Sequence, residues 1–389
     1  MNQIWLTAAR LGESIRATIT VQIFNAALAL IYALSILFLI YLDTINLKTL
    51  FVLITIEYMF FSILLARRLR HKLLLPADKG EESFKQVFNE FKEYCSPLVV
   101  HSIVLFLYSF MDNWLLQNFG GATQQGFYAV SMRFSFLGAL VTGSMLNLFW
   151  KEVAEAFADN RTERVRELYM KVVRIMFFTT ASLSCFALPF IKELLIWLLG
   201  AAYAGAWGSL SLMFLYSAYQ AFGQTLSVFL LATGHTVLFR RLGIVIMLIS
   251  LPITYFVLAP SDAYYAGGFG LGASGLALKM LVLSVFSVNL QTFVIARMLK
   301  WKWDVMFQFI SLGILTGIAF LSKYLVGMLL GSFITPISTP TLIMASLVPY
   351  LLTVAAIIYY IPWFVGYSRS EVMHMVVRAR EVLLVEKPE

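Results

Sequence analysis

Residues 106–121 read FLYSFMDNWLLQNFGG, an apolar segment that carries a single carboxylate, Asp112, with Asn113 beside it. A charged side chain inside the hydrocarbon of a bilayer is costly unless a partner or water compensates it, so such residues are rare. Whether this segment lies in a membrane depends on the rest of the chain.

The composition is that of a membrane protein. Of the 389 residues, 60% are hydrophobic and 13% are charged, whereas a soluble domain has about 45–50% apolar and about 25% charged residues. Aromatic residues make up 15% of the chain and are typical of lipid–water interfaces. The chain is therefore predicted to cross a membrane several times.

Ten segments are apolar over about 20 residues, the length that a helix needs to cross the hydrocarbon core. Their approximate bounds are 18–41, 48–66, 97–118, 126–150, 171–198, 205–232, 241–260, 272–297, 305–329 and 341–366. We predict an all-α, polytopic membrane helix bundle with about ten transmembrane helices. The quoted segment covers the end of the third one.

Nearly all Lys and Arg residues lie in the connections on one side of these helices. The exceptions among the 29 Lys and Arg residues are Lys48, Arg133, Lys192, Lys279 and Lys323. Because basic loops stay in the cytoplasm, that side is predicted to be cytoplasmic, and an even number of helices places both termini there. The net charge of +8 is thus an orientation signal, and we predict no nucleic-acid partner.

The sequence gives little support for metal, nucleotide or redox chemistry. The four His residues show no HxxxH or HExxH spacing, and there is no GxxxxGK[ST] pattern. The Gly-rich GGFGLGASG at 267–275 includes the GxGxxG spacing, but it opens no soluble strand and helix and is typical of helix packing and turns. Cys95 and Cys185 are isolated thiols that fit small packing positions. No connection is long enough for a catalytic domain, so we predict no enzyme activity, no cofactor and no metal site.

The third predicted helix has one polar face. At about 100° per residue, its polar side chains fall on one arc. They are His101, Ser102, Tyr108, Ser109, Asp112 and Asn113. Asp112 lies in the outer half of the bilayer, and Arg133 lies at a similar depth on the next helix. Two interpretations stay open: a buried ion pair of these two residues that fixes helix register, or charges that line an aqueous cavity.

The fourth predicted helix has two polar stripes on nearly opposite sides. Arg133 shares one stripe with Ser144 and Asn147. The other stripe contains Tyr128, Ser131, Ser135 and Thr142. Only one of the two stripes can be the main cavity face.

Further charges lie in other spans. Lys279 and Lys323 are both nearer the outer side, where a lysine near a helix end usually extends to the interface. Lys192 and Glu193 are adjacent and fit an interfacial position. Glu57 is isolated, and it either pairs with a cation or takes a proton.

Five segments occur in a characteristic order: NFGGATQQGFYAVSMRF, FWKEVAEAF, LLGAAYAGAW, LLATGHT and GFGLGASGLALKMLVL. With these, residues 94–300 resemble the second half of the Wzx-type O-antigen flippases. That family lies in the superfamily of multidrug, oligosaccharidyl-lipid and polysaccharide exporters, which also contains lipid II flippases and MATE transporters. The resemblance implies a MATE-like fold of two six-helix lobes, often with two further helices.

The resemblance also implies a division of the chain. Residues 97–297 correspond to the second six-helix lobe and 305–366 to the additional helix pair. Residues 1–66 correspond to the last two helices of the first lobe, so that lobe is expected to be incomplete by about four helices, as in a truncated chain. Residues 67–96 form a cytoplasmic linker with an amphipathic helix, and 367–389 a cytoplasmic tail.

As a function, the resemblance implies a flippase of the bacterial cytoplasmic membrane for surface polysaccharide or lipopolysaccharide biosynthesis. Its substrate is an oligosaccharide linked to undecaprenyl pyrophosphate, moved from the inner to the outer leaflet by alternating access. Polysaccharide polymerases are possible partners.

The resemblance suggests roles for individual residues. Arg133 matches a basic position in the family's eighth helix and is the first candidate for a phosphate contact, and Lys279 is the second. In this hypothesis, Asp112 forms an ion pair with Arg133 while the cavity holds no substrate. The other candidates for the cavity are Asn113, Ser109, Tyr128 and Ser131.

Other functions stay open. A proton- or sodium-coupled antiporter for drugs or small molecules has the same fold, and the cations in the spans favour an anionic substrate only weakly. A membrane glycan polymerase or ligase generally carries a large external loop, which this chain lacks. An inactive remnant is the third alternative.

Overall fold

The three-dimensional structure is a computed structural model of the chain. It describes residues 2–14, 17–44, 46–73, 84–263, 266–301, 304–332, 338–371 and 373–374. The predicted linker falls in part on residues 74–83 and the predicted tail in part on 375–389, and both of these parts lie outside the described residues. The chain divides into two units, Met1–Val87 and Phe88–Glu389.

The described residues of the first unit up to Leu73 form three helices. They are α1 (Asn2–Ser14), α2 (Thr18–Tyr41) and α3 (Leu47–Leu73). Phe61 of α3 is central to their packing, because the rings of Trp5 and Phe24 meet it edge-on at 6.4 Å and 6.2 Å. Gly12 permits the close approach, since a Cβ there would lie 2.6 Å from Cγ2 of Val21.

Nine longer helices follow in the described residues. They are α4 (Phe84–Ser135), α5 (Leu137–Ala158), α6 (Thr162–Ala187), α7 (Ile191–Leu199), α8 (Trp207–Ala232), α9 (Thr236–Leu258), α10 (Gly272–Leu299), α11 (Met306–Gly331) and α12 (Thr339–Tyr360). Short 3-10 helices occupy Leu188–Phe190, Ala201–Ala206 and Pro362–Val365.

The all-helical membrane fold predicted from the sequence is confirmed. Within the described ranges, eight helical segments are long and apolar enough to cross a membrane. They are Ile19–Tyr41, Lys48–Arg70, Phe88–Ser135, Thr162–Leu199, Thr236–Leu258, Gly272–Leu299, Met306–Gly331 and Thr339–Tyr360. All ten predicted segments fall on helices. The fourth is divided between the end of α4 and the start of α5, and the sixth lies on α8; neither α5 nor α8 is among the eight.

The long helix α4 has two arms. Gly121, at φ 69° and ψ −174°, interrupts it, a conformation that suits only a residue without a Cβ. The first arm, 84–120, begins with the amphipathic segment predicted for the linker and continues through Pro97. The second arm, 122–135, is followed by α5. The two arms together carry most of the polar residues that the sequence singled out.

Helix α8 lies between other helices, and it packs mainly against α6 and α10. Three of its hydroxyl side chains are buried, those of Ser209, Ser217 and Thr225. Ser217 and Thr225 donate hydrogen bonds to carbonyls of the preceding turn, Phe214 and Ala221. Because neighbouring helices shield it from lipid, α8 tolerates a lower hydrophobicity than a lipid-facing span.

Polar contacts fix the neighbouring helices. The amides of Asn289 in α10 and Gln308 in α11 exchange hydrogen bonds of 3.3 Å and 3.1 Å. Lys323 of α11 pairs with Glu193 of α7 at 2.6 Å, so this lysine is paired rather than simply extended to the interface. Arg174 pairs with Asp304 at 2.5 Å. These contacts make the second unit a scaffold that can hold charged groups at defined positions.

Candidate functional site

An ion pair lies inside the second unit. Asp112 comes from the first arm of α4 and Lys279 from α10, and they are 4% and 3% exposed. Nζ of Lys279 lies 2.5 Å from Oδ2 of Asp112. Because each charge is costly to bury alone, the pair makes the burial of both possible.

Two hydroxyl groups complete this arrangement. Thr254 of α9 donates to Oδ1 of Asp112 at 2.7 Å. Besides Asp112, Lys279 donates to the Thr254 hydroxyl at 3.1 Å and to the Tyr108 hydroxyl at 3.3 Å. The three N–H donors of the ammonium thus have three oxygen acceptors. We call Asp112, Lys279, Thr254 and Tyr108 the buried charge cluster.

An apolar layer lies next to the buried charge cluster. It consists of three leucines, each one helical turn from a residue of the cluster: Leu116 from Asp112, Leu258 from Thr254 and Leu276 from Lys279. All three leucines are at most 3% exposed and pack in one hydrophobic group. The apolar neighbours reduce screening by water and strengthen the ion pair relative to one at the surface. Removing one partner of such a pair typically lowers the free energy of unfolding by about 3–5 kcal/mol.

A contact at the start of α10 fixes the position of this helix, and therefore of Lys279, relative to the second arm of α4. The backbone N–H of Ala273 donates to Oε1 of Gln124 in the second arm of α4 at 2.9 Å. Gly272 has φ 55°, and a Cβ there would lie 2.5 Å from the same Gln124 oxygen. A side chain at this position would therefore displace the glutamine that caps the helix, two turns before the lysine.

A second set of polar residues follows the exposed side of α4. Ser109, Asn113 and Arg133 are exposed, and Gln125 is half-buried. Nε2 of Gln125 donates to Oδ1 of Asn113 at 2.9 Å, and Nδ2 of Asn113 donates to the Ser109 carbonyl at 2.8 Å. The bond between Gln125 and Asn113 links the two arms, and Arg133 lies about two helical turns further along the second arm. We call these four residues the exposed polar strip.

The predicted pairing of Asp112 with Arg133 is wrong. The two residues lie about 14 Å and about 18 Å along their arms from Gly121. They differ in direction, because Asp112 is buried against α9 and α10 whereas Arg133 is exposed. The partner of Asp112 is Lys279, the second of the predicted phosphate contacts, and its side chain is 0% exposed.

The second polar stripe of the fourth predicted helix lies in the interior. Tyr128 is 5% exposed and Ser131 is 0% exposed. The hydroxyls of Ser131 and Ser209 in α8 are 2.8 Å apart. Both cavity candidates on this stripe thus contribute to helix packing, and Arg133 lies on the opposite side of the arm.

Two residues next to the ion pair could not be identified from the sequence. Thr254 contacts the ion pair and Gln124 caps the start of α10, but neither lies in a segment that distinguishes it from other polar positions. Their importance depends on contacts between helices far apart in the chain, since Thr254 and Asp112 are 142 positions apart. A sequence pattern on one helix carries no such information.

No family model and no curated protein sequence matches this chain. Solved structures do. The lipid II flippase MurJ in an inward closed conformation matches with a TM-score of 0.58 and 13% identity, over 91% of this chain and 71% of MurJ.

Two MATE-type structures also match. A multidrug resistance MATE family transporter of the MOP superfamily, in an outward-facing conformation, has a TM-score of 0.52 and 15% identity over 63% of this chain. A MOP superfamily transporter from Pyrococcus furiosus Vc1, described as having a binding pocket of reversed polarity, has a TM-score of 0.52 and 16% identity over 64% of this chain. This chain spans 55% and 56% of their respective lengths.

The chain therefore has the fold of MATE and MurJ transporters and is a multi-pass membrane protein. At these identities the likeness concerns the fold alone, and each substrate belongs to the protein in which it is described.

Proposed function

We propose that this chain is a flippase of the MOP superfamily that moves a lipid-linked oligosaccharide across the bacterial cytoplasmic membrane. The observation that carries the proposal is the match to a lipid II flippase over 91% of the chain. The MATE-type structures match over a smaller part. Undecaprenyl pyrophosphate is the proposed lipid carrier, and an O-antigen or another surface polysaccharide unit is the proposed glycan.

The charges of α4 support an anionic substrate. Asp112 is already neutralised by Lys279, so this carboxylate is not available to a cationic drug or a coupling ion while the pair is intact. Arg133 is exposed although it lies within the span Phe88–Ser135. A guanidinium binds phosphate oxygens through two parallel hydrogen bonds. We therefore assign the pyrophosphate contact to Arg133 and the glycan contacts to Ser109, Asn113 and Gln125.

Lys279 and Asp112 have a different role in this proposal. Because their side chains are 0% and 5% exposed, they hold α4 against α9 and α10 and do not bind the substrate directly. The buried charge cluster then keeps the exposed polar strip in place during the transport cycle. The proposed topology has both termini in the cytoplasm, and polysaccharide polymerases are the proposed partners.

Transport in reconstituted vesicles tests the proposal. An undecaprenyl-pyrophosphate-linked oligosaccharide is incorporated, and its appearance in the opposite leaflet is followed with a lectin or a glycosidase added outside. We expect transport by the wild-type chain and its loss with Arg133→Ala. The matched control is Arg166→Ala, another arginine with a side chain that is 46% exposed, and this variant should transport normally. Equal transport by wild type and Arg133→Ala would refute the phosphate contact.

A proton- or sodium-coupled drug antiporter is the second candidate function. It is favoured by the MATE-type fold and by Glu57, a 7% exposed carboxyl in α3. In the same vesicles, efflux of a lipophilic cation such as ethidium along an imposed proton or sodium gradient, without transport of the saccharide lipid, would support this function over the first.

A further inference from the structure

A narrow cavity lies in the second unit, between α6, α8, α10 and the connection from α10 to α11. Its polar lining includes Tyr169 and Arg174 of α6, Thr292 of α10, and Asp304 of the connection. The space open to the centre of a water molecule is about 20 Å³, and a single buried water needs about 10–15 Å³. The cavity can therefore hold one water molecule, whereas a larger ligand would have to displace its walls.

One hydroxyl group of the lining lacks a partner. Tyr169 is 4% exposed, and its ring packs against Phe229 and Trp301 with centroids 4.9 Å and 5.3 Å away. Its hydroxyl oxygen is enclosed and has no hydrogen-bond partner among the described residues. The Thr292 hydroxyl donates to the carbonyl of Val288 at 2.8 Å. Because a buried hydroxyl without a partner is costly, the site favours a ligand that can accept from Tyr169.

The charges in the lining are already paired. The charged residues that border the cavity are Arg174 and Asp304, and Nη2 of Arg174 donates to Oδ2 of Asp304 at 2.5 Å. Nη1 of Arg174 donates to the Trp363 carbonyl at 2.8 Å, and the guanidinium lies over the rings of Phe307 and Trp363 at 5.3 Å and 4.9 Å. One acid and one base that neutralise each other give neither an anion nor a cation a reason to bind, so the lining favours an uncharged ligand.

Water has a short route to the cavity. Met170 and Arg174 line both this cavity and an open cleft beside it. The cleft also borders Tyr367 and the exposed Ser368. A movement of the Arg174 side chain would therefore connect the cavity with the surface.

We propose that this cavity binds one water molecule. The water accepts the hydrogen bond of Tyr169 and donates to the Thr292 hydroxyl and to Oδ1 of Asp304, in keeping with the about three hydrogen bonds that a buried water typically makes. An apolar ligand would leave the Tyr169 hydroxyl unpaired. The bound water links α6 and α10 to the connection before α11, beside the ion pair of Arg174 and Asp304.

X-ray footprinting tests the proposal, because hydroxyl radicals formed from a bound water oxidise the side chains that touch it. The full chain in detergent is irradiated, digested and mapped by mass spectrometry. We expect Tyr169 to be oxidised several-fold faster than Tyr350, the internal control. Tyr350 is 1% exposed, and its hydroxyl donates to the Ser182 carbonyl at 2.7 Å.

The stability of Tyr169→Phe gives a second test, because the expected sign differs between a hydrated and a dry site. If the hydroxyl binds water, its removal takes a hydrogen bond from that water and should lower the free energy of unfolding. In a dry site the same change removes an unpaired polar group and should raise the free energy of unfolding. The matched control is Tyr350→Phe, which loses a hydrogen bond to the protein and should be destabilised.

Two results would overturn the proposal. One is oxidation of Tyr169 in the wild-type chain no faster than that of Tyr350. The other is a Tyr169→Phe variant at least as stable as wild type. The footprinting map needs no variant, so a folding defect does not affect it. Since neither measurement includes a lipid-linked substrate, a failure here is distinguishable from a failure of the flippase proposal.

Discussion

Asp112 in the second unit and Glu57 in the first are both carboxyl groups inside membrane spans, and they are buried to a similar degree, at 4% and 7% exposed. Their surroundings differ. Asp112 receives hydrogen bonds from Lys279 and Thr254, whereas Oε1 of Glu57 has no partner among the described residues. The comparison teaches that burial alone does not define the role of an intramembrane acid, because an ammonium group and a hydroxyl bind the carboxylate of Asp112 and fix its position between helices, whereas no such contact holds Oε1 of Glu57 in the described residues.

The largest effect is expected from breaking the ion pair. Lys279→Met leaves the carboxylate of Asp112 buried without its cation, and should lower the free energy of unfolding by about 3–5 kcal/mol. Denaturant or thermal unfolding in detergent measures this. The matched control is the double variant Asp112→Leu with Lys279→Met, which removes both charges and should recover most of the loss. A single variant as stable as wild type would show that the pair does not hold these helices together.

A smaller effect is expected for a paired acid outside the spans. The hydrogen bond from Lys171, supported by the N–H of Ser368, lowers the pKa of Glu371 to about 2. The folded protein therefore binds fewer protons there than the unfolded chain, so the stabilisation is present above about pH 4.5 and is lost as the pH falls towards about 2.

The Glu371 side chain is 38% exposed, so the contribution should stay below about 1 kcal/mol. Unfolding curves of wild type and Glu371→Gln should differ near neutral pH and converge in acid. A difference that persists unchanged in acid would contradict the role assigned to the carboxylate.

Much of the fold follows from local sequence. Apolar runs of membrane length predict the helices, and all ten predicted segments fall on helical parts of the chain, some of them on two successive helices. The arc of polar residues on the third predicted helix is divided in the structure, where Asp112 is buried and Ser109 and Asn113 are exposed. The length and periodicity of the sequence pattern within single helices are enough to predict these features.

The partner of Asp112 could not be predicted in this way. Arg133 is the nearest intramembrane cation in the sequence, whereas Lys279 is 167 positions away from Asp112. Packing of α4 against α10 selects the distant one. The same packing buries Tyr128 and Ser131 and leaves Arg133 exposed, a choice between two polar stripes that helical periodicity leaves open.

The most direct test of the account is the affinity of the chain for undecaprenyl pyrophosphate and for uncharged undecaprenol, measured by native mass spectrometry with wild type and Arg133→Ala. We expect the pyrophosphate to bind wild type about 10–100-fold more tightly, the equivalent of one strong charged contact, and this preference to disappear in Arg133→Ala. Equal binding of the two lipids by wild type, or an unchanged preference in the variant, would contradict an exposed Arg133 that recognises phosphate.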